Sequence, residues 1–359
     1  MASLEVGIVG LPNSGKTSLF NALTNAGAAV TAYAAVQASA NVGVAAVPDE
    51  RIDRLAEAVG SIERLPATIG FSDVAGLVRG AGGRDGGLGG EFLGHLRATD
   101  ALAHVVRCFA DETVAHPDGR IDPVADAETV DLELVLSDGS LIERRRERVD
   151  RAARTGDRDA KAEVEILAAL AAHLDEGEPA RTFAGELPAD IDLLTVKPMV
   201  YVANVGEGGD EERVAALAAY AAGRGCEAIA VAARFEAELG ELDDPDERAA
   251  FLADLGLDEP GMPRVARACY RTLGLLSFFT VGPKEARAWT VREGASAVEA
   301  AGKIHSDIAR GFIRAEVIGW PDLVACGSSP EAQKRGLLRV EGRDYIVQDG
   351  DVINVRFNI

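Results

Sequence analysis

Gly10-Leu11-Pro12-Asn13-Ser14-Gly15-Lys16-Thr17 is the stretch on which the reading of this chain turns. It has the spacing GxxxxGK[ST], it follows the apolar run Leu4 to Val9, and a helix is predicted to start near Lys16. Glycines at either end let successive backbone N–H groups turn inward around an anion, and the N-terminus of the following helix adds the positive end of its dipole. In such a loop Asn13, Ser14, Gly15, Lys16, Thr17 and Ser18 are expected to cradle the phosphates of a nucleotide. Lys16 should reach the β- and γ-phosphates, which places it in catalysis as well as binding, and the Thr17 hydroxyl should ligate Mg2+.

Working outward, Thr68 to Val74, Ala103 to Phe109, Pro198 to Ala203 and Ala228 to Val231 are further apolar runs that read as buried strands. Their alternation with Gly-rich turns and helical segments predicts an α/β fold, a doubly wound and mostly parallel sheet. Asp73-Val-Ala-Gly76 has the DxxG spacing of a γ-phosphate sensor: Asp73 would hold the Mg2+ shell and the Gly76 N–H would meet the γ-phosphate. Asn204-Val205-Gly-Glu207 ends a predicted strand where guanine-specific P-loop proteins carry NKxD. Asn204, Val205 and Glu207 are thus the candidates for contact with the base. Glu207 for Asp and Val205 for Lys should weaken guanine selection and leave ATP preferred over GTP; a polar surface turn after a strand is the plainer alternative.

Composition narrows the field. With 47% hydrophobic and 26% charged residues the chain reads as soluble, and the start Met1-Ala-Ser-Leu-Glu-Val lacks a basic, then apolar, secretory signal. A cytoplasmic monomer that avoids membranes is expected. Four dispersed cysteines, Cys108, Cys226, Cys269 and Cys326, fit reduced thiols rather than a disulfide frame. A net charge of -21 excludes a protein that coats nucleic acid over its whole surface. Val130 to Leu174, however, reads as a helical hairpin with a Thr155-Gly-Asp turn, and it gathers Arg144, Arg145, Arg146, Arg148, Arg151, Arg154, Arg158 and Lys161. Ala26 to Val47 reads as a mobile loop. After about residue 275 the texture becomes α+β: strands at Leu276 to Val281 and Ala286 to Val291, a capping box Ser296-Ala-Val-Glu299 opening a helix to about Arg310, and two strands in Asp344 to Ile359. The boundaries read as 1–129 with 178–275 for the nucleotide-binding domain, 130–177 for the hairpin and 276–359 for a C-terminal domain.

Eight segments together resemble the YchF or Obg-like ATPase family over nearly the whole chain. They are Gly7 to Asn13, Asp73 to Val78, His104-Val-Val-Arg-Cys-Phe109, Asn204 to Glu207, Leu255 to Gly261, Glu285-Ala-Arg-Ala-Trp-Thr290, Ala301-Gly-Lys-Ile-His305 and Glu341 to Gly350. The resemblance implies a G domain interrupted by a helical arm, a C-terminal TGS domain of β-grasp fold, preference for ATP, and association with ribosomes; the basic residues of the hairpin on an otherwise acidic chain make the arm the expected contact with the ribosome or ribosomal RNA, together with the TGS domain. It implies too that His116, which aligns with a loop histidine of the family, orients the attacking water, because Leu77 stands where many GTPases place a Gln. The first switch departs from the family pattern: in Tyr33-Ala-Ala-Val36-Gln37-Ala-Ser-Ala-Asn41, Gln37 replaces the Thr that closes on Mg2+ and Val36 replaces a cysteine.

The expected function is a Mg2+-dependent ATPase acting as a slow ribosome-associated switch. A GTP-binding switch of the same fold and a nucleotide-binding protein that has lost hydrolysis are the alternatives that these residues leave open.

Overall fold

The computed structural model describes residues 4–25, 42–73, 90–117, 119–188, 190–206, 210–241, 244, 247, 250, 252 and 259–358. In chain order its strands are β1 (Glu5–Val9), β2 (Val42–Val47), β3 (Glu63–Leu65), β4 (Ala67–Asp73), β5 (Ala101–Arg107), β6 (Met199–Asn204), β7 (Glu227–Val231), β8 (Leu275–Val281), β9 (Glu285–Arg292), β10 (Phe312–Gly319), β11 (Arg339–Glu341) and β12 (Asp351–Phe357). Its helices are α1 (Lys16–Asn25), α2 (Glu50–Val59), α3 (Gly90–Ala98), α4 (Pro123–Arg154), α5 (Arg158–Asp175), α6 (Glu211–Gly223), α7 (Ala233–Glu241), α8 (Gly261–Thr272), α9 (Ala297–Ile304), α10 (Ser306–Arg310), α11 (Trp320–Cys326) and α12 (Ser329–Lys334). None is long and apolar enough to cross a membrane, among the described residues.

One sheet runs β2-β4-β1-β5-β6-β7, with β1, β5, β6 and β7 parallel neighbours. Every residue of β5 and β6 is buried, as continuous apolar strands covered by helices on both faces must be. This is the mostly parallel α/β sheet that the apolar runs predict. The expected hairpin begins earlier than Val130, because Asp122 caps α4 by accepting from the Ala125 N–H and Pro123 occupies the first turn. At 32 residues α4 is about 48 Å long. Val135, Ile142 and Val149 recur every seventh residue along it and pack with Leu167, Leu170 and Leu174 of α5. The root of α4 is held by carboxylates on its buried side. Asp138, fully buried, accepts from the N–H groups of Leu194 and Thr195, the Thr195 hydroxyl and the Arg97 guanidinium.

The other sheet runs β11-β10-β12-β8-β9-β3. The β8–β9 hairpin is antiparallel, β12 lies parallel to β8, and α9 packs Ala297, Ala300 and Ala301 over Phe278, Val291, Val317 and Ile353, which is β-grasp topology. The predicted capping box is present, with Ser296 and Glu299 bonded reciprocally. Three expectations are corrected. The helix ends at Ile304, and His305 starts the separate α10 by accepting the Asp307 N–H. Within 344–358 only β12 forms; the missing strand is β10, whose charged positions break the apolar alternation. The loop read over Ala26 to Val47 contains β2 in its described part.

Segments far apart in the chain group together. Val44–Gly70 groups with Met262–Ile359 as one unit, separate from Phe71–Gly261 and the N-terminal strand and loop. The reason is non-local pairing: β3 adds to β9 in parallel register from Glu63 opposite Glu285, and Arg51 of α2 bonds the Asp349 carboxylate while its guanidinium sits over Phe279. Removing one partner of a buried polar set leaves the others desolvated, at a cost of about 3–5 kcal/mol. Asp138→Ala should therefore lower the unfolding free energy by about that amount, read as a shift of the urea midpoint.

Candidate nucleotide-binding site

Carboxyl ends of parallel strands are where loops converge in such a sheet. Register places Val9 beside His104, Arg107 beside Asn204 and Asn204 beside Val231, so the loops after β1, β5, β6 and β7 share one edge.

The loop after β1 is shaped by what cannot fit there. Gly15 has φ 97, and a Cβ on it would stand 2.1 Å from the Asn204 side-chain nitrogen. Gly10, at φ 155, would place a Cβ 2.3 Å from the Val105 carbonyl. Asn13 takes φ 62, a region that Asn tolerates, and its amide donates to the Ala115 carbonyl at 3.0 Å. Ser14 is buried, and among the described residues its hydroxyl has no hydrogen-bond partner. Lys16, 8% exposed, donates from Nζ to the carbonyls of Gly10 at 3.0 Å and Leu11 at 2.9 Å. Burial pushes its ammonium down to about 8, against the opposing pull of Asp73. The Thr17 hydroxyl donates to Asp73 Oδ2 at 3.0 Å. The two residues expected at a metal therefore meet as a pair of hard oxygen ligands. Mg2+ characteristically takes one or two protein oxygens and completes its shell with phosphate and water, so the pair fits that ion.

Asn204 lines the cavity beside the phosphate loop and also holds the protein together there. Its side-chain nitrogen donates to the Ser14 carbonyl at 2.9 Å and its oxygen accepts the Ala233 N–H at 3.1 Å. Both ends of the amide serve the protein, so Asn204 ties the phosphate loop to β6 and α7. His116 is not brought round to the phosphate loop through its ring: Nε2 lies 2.9 Å from Asp126 Oδ2 at the start of α4, with both side chains 6% exposed. It is the neighbouring Ala115 carbonyl that meets Asn13. Gly76 and Glu207, like Gln37 and Leu77, lie outside the described residues.

Beside the phosphate loop opens a cavity of about 530 Å³, within the range of small-ligand sites. Gly15 and Ser18 belong to both; Phe109, Val114, Val205 and Phe235 supply apolar walls, with Arg234 and Glu238 at the α7 side. The sequence reading assigned Val205 to a base and missed Phe109 and Phe235. Both follow strand ends, Phe109 after β5 and Phe235 after β7, and that position was the available signal. Cys108, next to Phe109, is buried in the core with a free thiol, pushed up to about 12 by burial, which makes it inert as a nucleophile.

A phosphate loop sharing residues with a base-sized cavity at the carboxyl edge of a parallel sheet defines a P-loop nucleotide-binding domain of the GTPase class. Residues 5–138 match a family described as 50S ribosome-binding GTPase, and residues 275–358 match the YchF-GTPase C-terminal family, described as a protein of unknown function. The chain is 45% identical over 367 residues to the ribosome-binding ATPase YchF of Bacillus subtilis, covering 99% of this chain and 100% of that one. It is 47% identical to the ribosome-binding ATPase YchF of Haemophilus ducreyi, covering 99% of each. The solved structure of the Schizosaccharomyces pombe YchF GTPase superposes with a TM-score of 0.86 at 29% identity, covering 99% of this chain and 98% of that one. The chain belongs to the YchF family.

For Lys16 the sign of the pH effect is set by its lowered ammonium. Protonated Lys16 attracts a triphosphate; above about pH 8 the nucleotide-free protein holds it increasingly neutral, so binding must then carry a proton uptake. Triphosphate affinity measured by calorimetry should be about tenfold weaker at pH 9 than at pH 7. Lys16→Ala should weaken binding at pH 7 by at least about tenfold and remove the fall between pH 7 and pH 9; an unchanged affinity would reject the site.

Proposed function

We propose that this chain is a Mg2+-dependent ATPase, preferring ATP to GTP, that works as a slow switch on the ribosome. The observation that carries this reading is the phosphate loop joined, through Gly15 and Ser18, to a cavity with apolar walls. Support comes from full-length relatives that are named ribosome-binding ATPases.

In this reading Asn13 to Ser18 hold the phosphates, and Lys16 exchanges its two carbonyl acceptors for β- and γ-phosphate oxygens, which keeps a charged donor where negative charge grows. Thr17 and Asp73 would hold Mg2+, which when bound neutralises charge on the β- and γ-phosphates. The Gly76 N–H supports the γ-phosphate. His116 orients the attacking water only after leaving Asp126, so its bond to that carboxylate describes a resting position. The base enters the cavity against Phe109, Asn204, Val205 and Phe235, and the Asn204-to-Glu207 motif assigns Glu207 to the same base. Apolar walls do not choose between purines; Glu207 does, because a carboxylate one methylene too long misplaces the two-bond grip that guanine needs.

The ribosome contact is assigned to the arm and the TGS-like C-terminal domain. Along the arm Arg145 is paired with Glu163, Arg146 with Glu143 and Arg154 with Asp150, whereas Arg144, Arg148, Arg151, Arg158 and Lys161 are exposed. On a chain of net charge -21 these exposed cations are where an RNA backbone can be approached without repulsion. The protein is read as a cytoplasmic monomer.

Two experiments test this. In competition binding, ATP should displace a labelled nucleotide at a concentration about tenfold or more below that of GTP, with hydrolysis that rises on addition of ribosomes; equal or better competition by GTP would sink the base assignment. Separately, Arg144→Glu with Arg148→Glu should weaken co-sedimentation with ribosomes while ATP affinity stays as it was, and wild-type binding should fall steeply with salt. Co-sedimentation that survives both the reversal and high salt moves the contact off the arm.

A further inference from the structure

Arg107 ends β5 opposite Asn204 and is only 2% exposed. A guanidinium this deeply buried loses its hydration and needs its donors met. Among the described residues, every hydrogen bond it makes ends on a backbone carbonyl of the segment that follows: Nε on Phe109 at 3.2 Å, Nη2 on Asp111 at 3.0 Å, Nη1 on Val114 at 3.0 Å and on Ala115 at 3.5 Å. Its carbon Cζ also stands 4.5 Å from the centroid of the Phe109 ring.

Residues 109–115 form neither helix nor strand, so no ladder is available to their carbonyls. The segment has other ties. Its ends are held from outside, by the Phe109 N–H donating to the Asn204 carbonyl and by the Asn13 amide donating to the Ala115 carbonyl. Within it, Asp111 accepts the N–H and hydroxyl of Thr113 on its carboxylate and the Val114 N–H on its carbonyl, a local turn. Among the described residues, Arg107 is the side chain that bonds carbonyls at both ends of the segment and in its middle. A planar fork with five fixed donors can span carbonyls spread over a loop; a lysine ammonium, a point charge on a flexible stem, cannot.

The same segment supplies one wall of the cavity through Phe109, Ala110, Asp111 and Val114. We propose that Arg107 is the positioning residue of the base pocket, fixing the 109–115 segment so that Phe109 and Val114 stand ready for the nucleobase. This rests on the reading that the base occupies this cavity. A wall ordered in advance spares binding the entropy of ordering it, so the benefit falls on the base and its sugar and not on the phosphates.

The test separates those two parts of the ligand. Affinities of the full chain for ATP and for inorganic tripolyphosphate, both with Mg2+, are measured by calorimetry for wild type, Arg107→Met, Arg107→Lys and Phe109→Ala. Arg107→Met should weaken ATP by about tenfold or more while tripolyphosphate changes by less than about twofold. Arg107→Lys, the variant kept in case the apolar one fails to fold, should show the same split at smaller size. An equal loss for both ligands would make Arg107 a general structural residue and overturn the inference, as would a wild-type ratio in Arg107→Lys. Phe109→Ala tests the underlying reading by itself: it should weaken ATP alone. If it leaves ATP affinity unchanged, the base lies elsewhere, whatever Arg107 does; if it weakens ATP and the Arg107 variants do not, the cavity reading stands and the positioning role falls.

Discussion

Everything at the nucleotide edge hangs on Asn204. Its backbone carbonyl accepts the N–H groups of Cys108 and Phe109, its side-chain nitrogen holds the Ser14 carbonyl, and its side-chain oxygen holds the Ala233 N–H. One buried residue thereby joins the loops after β1 and β5 to the start of α7. That arrangement exists only because Gly15 has no side chain where the amide lies. A buried amide of this kind is high-stakes: satisfied, it fixes four segments in one geometry; unsatisfied, it would cost the full desolvation of its donors and acceptors.

The arm is joined to this edge by carboxylates rather than by apolar packing alone. Asp126, Asp131 and Asp138 all lie on the buried side of α4. Burial would push the Asp131 carboxyl up, but His104 beside it and the hydroxyls of Tyr201 and Tyr220 hold it below the usual carboxylate range. The two phenols are correspondingly raised, by burial first and by that carboxylate second. Asp126 meets His116, whose neighbour Ala115 accepts from Asn13 in the phosphate loop. Two hydrogen bonds on adjacent residues thus link the phosphate loop to the root of the arm.

How much of this is readable in the sequence differs from part to part, for physical reasons. The phosphate loop is readable because glycine spacing, Lys16 and Thr17 are local requirements of one short turn. Fully buried strands such as β5 and β6 are readable because both faces are apolar. The capping box at Ser296 is readable because it is a three-residue contact. By contrast β3 is three residues long and starts on Glu63 and Arg64; nothing local makes it a strand, only its pairing with β9. The cavity walls are hidden for a similar reason: Phe109 and Phe235 are more than a hundred residues apart, and Arg107 looks like one more charge until the carbonyls around it are seen. The tie formed by Asn204 is equally silent, since an Asn ending a strand gives no hint of which loops it will hold.

The grouping of Val44–Gly70 with Met262–Ile359 has a consequence for how the chain comes off its own template. Synthesis proceeds from the amino end, and domains ordinarily fold as they emerge. Here Ser61 bonds Gly282, a separation of 221 residues, and Arg51 bonds Asp349, a separation of 298. The piece carrying α2 and β3 is therefore an early-made half without its complement for nearly the whole of elongation. Ile62, 80% exposed even in the finished fold, sits in that waiting piece. Completion of the second unit is a late event, timed by the arrival of the last strand rather than by local propensity.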